Sequence, residues 1–136
     1  MESLKKQQIW IKAMEAGAKT GCHQMPERSF FIFGYQFPVC ARCTGVFIGQ
    51  AAACVLAGFR KILSPAISLF LLLIMGADWF IQRVGILVST NFRRLITGIL
   101  GGMGITFLYI NLIIHILRII CNFKKGILKC HHFGKV

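Results

Sequence analysis

The side chains best suited to chemistry in this chain are thiols. Cys22-His23 and Cys40-Ala-Arg-Cys43 combine residue types that bind soft metals or exchange disulfides. A Cys-x-x-Cys pair sets two sulfurs close enough to chelate one ion. Cys22 and His23 would supply the remaining ligands of a tetrahedral zinc site, although two adjacent residues on one ion require a sharply bent backbone. Three of these ligands plus water would leave an open position for chemistry. The expected ligand set is therefore Cys22, His23, Cys40 and Cys43, with zinc as the cofactor. A second chemistry uses the same atoms. With Pro38 starting a helix, Cys40 and Cys43 stand one turn apart near its N-terminus, where the helix dipole and Arg42 favour a thiolate, as in a membrane thiol-disulfide oxidoreductase. That alternative lacks a second Cys-x-x-Cys pair to relay electrons, unless Cys22 acts as a resolving thiol.

A second group of residues carries charge. Arg28, Arg42, Arg93 and Arg94 would bind a phosphate or carboxylate bidentately, which suits an anionic lipid headgroup or a metabolite. Taken singly, each arginine is better explained by attraction to an anionic membrane surface. Asp78, with Gln82 one turn further on, closes an apolar run beside Trp79. It reads either as an interfacial acid in contact with water or as the partner of Arg93 or Arg94 in a polar pocket beneath the cysteines. Asn111 and His115 are one turn apart and suit hydrogen bonds between helices. The chain has no Gly-rich loop leading to Lys-Ser or Lys-Thr, no His-Glu-x-x-His and no Cys-x-x-Cys-His. His23 with Ser29 is too thin a basis for a serine hydrolase. Whether the protein is an enzyme stays open at this level.

The elements that position these residues follow from composition. The 136 residues are 56% hydrophobic, with sixteen Lys plus Arg against four Asp plus Glu and a net charge of +12, and the mean hydropathy is +0.68. Such hydrophobicity excludes disorder, and no compact basic module stands apart for a nucleic acid. Three segments, about Val39 to Phe59, Ile62 to Ile81 and Leu95 to Leu117, match the roughly 17 to 25 residues that cross a bilayer. The fold class is all-α, a polytopic protein of the cell membrane with about three transmembrane helices. The short connection at Arg60 and Lys61 makes the first two an antiparallel hairpin. Met1 to Lys19 lacks the apolar core of a cleaved signal. Its Leu4, Ile11, Met14 and Ala18 recur at helical spacing and suggest an amphipathic helix on the bilayer surface. The organisation is thus an interfacial segment at 1–20, a Cys/His loop at 21–43, a helical bundle at 44–121 and a basic tail at 122–136.

Three crossings sort the polar residues onto two faces. Cys22, His23, Cys40, Cys43, Arg28, Arg42, Asp78, Gln82, Asn91, Arg93, Arg94 and Thr97 gather on one; His115, Arg118, Cys121, Cys130, His131 and His132 lie roughly 30 Å away on the other. The terminal Cys-His-His therefore cannot complete the site of Cys40 and Cys43 within one chain. Gly45, Gly49, Ala53 and Ala57, and again Gly98 and Gly102, form small-xxx-small rows that let helices approach within the chain or in a homo-oligomer. The expected partners are the lipid bilayer, including anionic lipids. Basic residues near the spans number five on the cysteine face and seven on the other, which places the C-terminus in the cytoplasm and the cysteines outside; the basic N-terminal segment pulls the other way.

The stretch from Cys22 to Gly49, CHQMPERSFFIFGYQFPVCARCTGVFIG, resembles the signature of a family of small bacterial integral membrane proteins known only as a domain of unknown function. Asp78 and Gln82, followed by Asn91, Arg93, Arg94, Thr97 and Gly98, are similar to that family's second cluster. The resemblance covers most of the chain beyond Gly21. It implies the membrane class and the choice of residues, and it supplies no reaction. Cys130-His131-His132 and the N-terminal segment fall outside it.

Overall fold

Serine followed by proline is a strong helix start, and Ser64-Pro65 opens one of three long apolar helices. The Ser64 hydroxyl accepts from the Ile67 amide at 3.4 Å, while Pro65 occupies a first-turn position whose missing N–H costs the helix nothing. The computed structural model describes the backbone of residues 2–85 and 90–133, and the side chains of 4–85 and 90–122. In order, the elements are α1 (Glu2–Lys19), a single 3-10 turn (Pro26–Arg28), β1 (Ser29–Ile32), β2 (Tyr35–Cys40), α2 (Ala41–Gly58), α3 (Pro65–Arg83) and α4 (Asn91–Phe133). α2, α3 and the Asn91–Asn122 part of α4 are long and apolar enough to cross a membrane. Their large side chains face outward, Phe70 at 63% exposure and Leu73 at 59%, as lipid-facing positions require where hydrocarbon is the solvent. α4 runs on to Phe133, through most of the segment expected to be a basic tail.

Glycine decides which helices touch. α4 lies between α2 and α3, and each packs on α4 far more extensively than on the other. The first two spans, expected to pair as a hairpin, therefore share a central partner instead. A Cβ on Gly45 would strike the Leu95 carbonyl and one on Gly49 the Ile99 carbonyl; reciprocally, Gly98 faces the Arg42 carbonyl and Gly102 that of Val46. On the other side of α4, Gly101 receives the Met75 side chain and Gly104 the Ser68 backbone. Backbone-to-backbone approach of this kind is what small-residue rows permit in lipid. The rows on α2 and α4 are thus occupied within the chain.

The segment expected as a Cys/His loop contains a β-hairpin. Its strands are rich in aromatic and β-branched residues, which suit a pleated surface, and Ile32 pairs with Tyr35 across the two-residue turn Phe33-Gly34. Both turn residues have positive φ, 51° and 81°, the twist that fits a two-residue hairpin. Pro38, expected to begin a helix, lies in β2, and α2 begins at Ala41. The register is irregular between Ser29 and Phe31, opposite the stretch that holds Pro38, whose nitrogen has no proton for a ladder. α1 packs on this hairpin: the Trp10 indole donates to the Gln36 carbonyl at 2.8 Å and its ring lies 5.8 Å from Tyr35. Leu4, Ile9 and Ile11 of α1 remain exposed.

Candidate metal centre

Three short segments deliver the cysteines. α1 ends at Lys19, and Gly21 follows with a φ of 78°, the left-handed conformation that suits a residue just after a helix. Cys22 follows at once. Gln24 then fixes the segment: its side-chain amide donates to the Met14 carbonyl at 2.7 Å and to the Pro38 carbonyl at 2.6 Å, while the Gln36 amide donates to the Gln24 carbonyl at 2.6 Å. Gly17 of α1 sits so close to Pro38 that a Cβ there would overlap its carbonyl. These ties hold Cys22 against the end of β2, where its sulfur accepts from the Cys40 amide at 3.1 Å. Cys40 is both the last residue of β2 and the N-cap of α2, and Cys43 follows in the first turn.

The outcome is a cluster. The sulfurs of Cys22, Cys40 and Cys43 lie within 4.8 Å of one another, as free, partly buried thiols. Tetrahedral zinc with Zn–S bonds of about 2.3 Å would set them roughly 3.8 Å apart, so small side-chain adjustments suffice. The donor set of three thiols fits a soft or borderline ion. His23, expected as a fourth ligand, is exposed and outside the group. The Cys40 thiol is driven down from 9.0 to about 5, chiefly because the Cys43 side chain hydrogen-bonds its sulfur. The amides of Cys43 and Arg42 and the Cys22 thiol add to this, and together they outweigh partial burial, which acts in the opposite direction.

Beneath the sulfurs, α3 contributes a carboxylate. Asp78 is only 4% exposed. Arg42 Nη2 donates to its Oδ2 at 2.9 Å, the Gln82 amide donates to the same oxygen, and the Thr97 hydroxyl lies 3.2 Å from it. Arg93 Nε is 2.7 Å from Oδ1 without the alignment of a hydrogen bond, so that oxygen is ion-paired only. Of the two expected partners, Arg93 is the one that meets Asp78. Arg94 is held instead by neutral groups, its Nε donating to Gln82 Oε1 at 3.1 Å and its Nη1 to Asn91 Oδ1 at 3.4 Å. Gln82 Oε1 also accepts from Arg42 Nη2 at 2.9 Å. Arg28 is exposed, in the 3-10 turn, within electrostatic reach of Arg94. Arg42, Asp78, Gln82, Arg93 and Arg94 are thus brought together, with Arg28 at the edge.

Other candidates lie elsewhere. Asn111 donates to the Leu63 carbonyl at 2.9 Å, tying α4 to the α2–α3 connection, and His115 lines an open groove of about 720 Å³ near it with Arg118. Cys54 and Cys121 are exposed and apart from the cluster. The side chains of Cys130, His131 and His132 lie outside the described residues. Sequence reasoning missed Trp10, Gly17, Gln24 and Gln36 as positioning residues; the two glutamines flank the cysteines in sequence, but amides that brace a backbone carry no spacing signal.

Comparison with known proteins agrees with the span of this site. Residues 22–108 match a family model described as "Predicted membrane protein (DUF2085)", a segment that begins at the first cysteine of the cluster and includes the arginines. An uncharacterised protein of Methanocaldococcus jannaschii is 38% identical over 92 residues, 63% of this chain and 59% of that protein. An uncharacterised protein of Methanothermobacter thermautotrophicus is 39% identical over 91 residues, 64% of this chain and 82% of its own length. Both relatives are archaeal, whereas the sequence pointed to a bacterial family. No solved structure matches. With three helices able to cross a bilayer and a family match over most of its length, the chain belongs to this family of multi-pass membrane proteins.

Proposed function

We propose that the protein is a membrane-interface metalloprotein in which Cys22, Cys40 and Cys43 bind one zinc ion as thiolates, leaving the fourth position open. The observation that carries this reading is the convergence of three unbridged sulfurs within 4.8 Å from the end of α1 and the β2–α2 junction. Thiolates favour zinc over hard cations. A zinc ion with three protein ligands keeps a position for water or substrate, where it acts as a Lewis acid or lowers the pKa of a bound water. The test is metal analysis of purified protein: about one zinc per chain, lost in Cys22→Ser, Cys40→Ser and Cys43→Ser and retained in His23→Ala, Cys54→Ser and Cys121→Ser. Full occupancy in any of the first three would overturn the ligand set.

A second reading is favoured by the closeness of the Cys40 and Cys43 sulfurs, within 4.8 Å at the start of α2, with the Cys43 side chain hydrogen-bonded to the Cys40 sulfur and favouring its thiolate. In it, the Cys40 thiolate attacks a disulfide of a partner protein, and Cys43 resolves the mixed disulfide, leaving Cys40 and Cys43 oxidised and the partner's two thiols reduced. A reversible Cys40–Cys43 disulfide in cells, without bound zinc, would favour this reading over the metal.

A further inference from the structure

Four arginines lie around one carboxylate beside the cysteines, two of them paired with it, and this excess of positive charge is the feature the metal does not explain. Arg42 and Arg93 pair with Asp78. Arg28 and Arg94 have no carboxylate within ion-pair distance among the described residues. Three thiolates around a divalent ion would contribute one more negative charge, so two of the four positive charges have no counter-charge, one on exposed Arg28 and one on half-buried Arg94, where an unpaired charge is the costlier. The way the cations are held sharpens the point. One neutral amide oxygen, Gln82 Oε1, accepts from both Arg42 and Arg94, fixing two guanidinium groups side by side without supplying a negative charge. Arg94 is within electrostatic reach of both Arg28 and Arg42, and Arg42 Nε is a buried donor with no hydrogen-bond partner. α2 and α4 both begin here, and the positive ends of their dipoles add to the field.

We propose that Arg28, Arg42 and Arg94 form a receptor for a phosphate dianion, either free phosphate or the monoester headgroup of a lipid, beside the three cysteines. A phosphate monoester carries close to two negative charges near neutral pH and presents three acceptor oxygens, which match the uncompensated charge and the planar forks of the arginines. Arg42, though paired with Asp78 through Nη2, keeps a buried Nε without a partner, whereas the Nε of Arg93 is the atom that Asp78 holds, so Arg93 takes no part. The receptor shares its location with the proposed metal, but its hydrogen bonds come from arginine, so the two ideas fail separately.

The experiment uses full-length, zinc-loaded protein in phosphatidylcholine nanodiscs, titrated with inorganic phosphate and followed by phosphorus NMR. A parallel sample contains phosphatidic acid, with retained lipid read by native mass spectrometry, and zinc is measured on every sample. Saturable phosphate binding that weakens about tenfold or more in Arg28→Gln and in Arg94→Lys, and is unchanged in Arg83→Gln, is the expected result. Arg28 is exposed, so its variant should keep the wild-type circular dichroism. Selective retention of phosphatidic acid without binding of free phosphate, lost in the same two variants, supports the receptor and identifies the lipid as its source. Equal binding of both probes by wild type, Arg28→Gln and Arg94→Lys overturns the proposal. In Cys40→Ser, zinc should be lost while phosphate binding persists; loss of both together would mean that the metal holds the anion and would overturn the arginine assignment.

Discussion

Cys40 sits where three structural demands meet: it ends a strand, caps a helix and donates its amide to another cysteine's sulfur. Its backbone is therefore fixed before any ligand arrives. Because its folded pKa lies near 5, below the ordinary 9.0, the thiolate is present at neutral pH and is protonated only as pH falls through about 5. Iodoacetamide labelling of Cys40 in zinc-free protein should accordingly stay fast at pH 7 and slow on acidification through that value. A rate that instead climbs between pH 8 and the ordinary thiol value of 9.0 would contradict the described hydrogen bonding. Asp78 is the matching residue on α3. Asp78→Ala would leave Arg42, whose side chain is 20% exposed, without its carboxylate at a cost of about 2 to 3 kcal/mol. Arg93 is 40% exposed and adds little to that figure, since water screens it. Thermal unfolding in detergent should show the loss, and an unchanged midpoint would remove Asp78 from its structural role.

At the scale of elements, the site depends on how closely α2 and α4 approach, because Arg42 lies in the first turn of one and Arg94 in the first turn of the other. Gly98→Val would drive a side chain into the Arg42 backbone and should destabilise the protein by about 1 to 3 kcal/mol through overpacking. Gly58→Val, where a Cβ meets open space, should cost far less in the same melting assay; equal effects would contradict the described packing. The spans and their glycine rows were legible in the sequence because lipid imposes length, and close approach imposes small residues at every fourth position. The partner of each row was not legible, since one row fits another helix or another chain equally well. The hairpin was hidden for a different reason: a short aromatic stretch bounded by Pro26 and Pro38 has no periodicity long enough to separate strand from loop, and Pro38 also suits a helix start. Cys22, Cys40 and Cys43 stood out by type and spacing. The exclusion of His23 and the division of labour between Arg93 and Arg94 depend on side-chain directions that only the packed chain sets.

For the molecule as a whole, the charge of +12 is distributed as fringes on an apolar bundle, with one fringe gathered around a carboxylate and three thiols. The three-span arrangement predicts that the clustered cysteines and Cys121 lie on opposite sides of the membrane. In intact cells, a membrane-impermeant maleimide should reach Cys22, Cys40 and Cys43 or Cys121, but not both sets, when each is tested in a background lacking the other thiols. Simultaneous labelling of both sets would refute three crossings. X-ray absorption at the zinc edge of the purified, zinc-loaded protein tests the central claim most directly. Three sulfurs at about 2.3 Å and one oxygen or nitrogen at about 2.0 Å are expected; a shell of four sulfurs, or a shell without sulfur, would overturn the three-thiolate site.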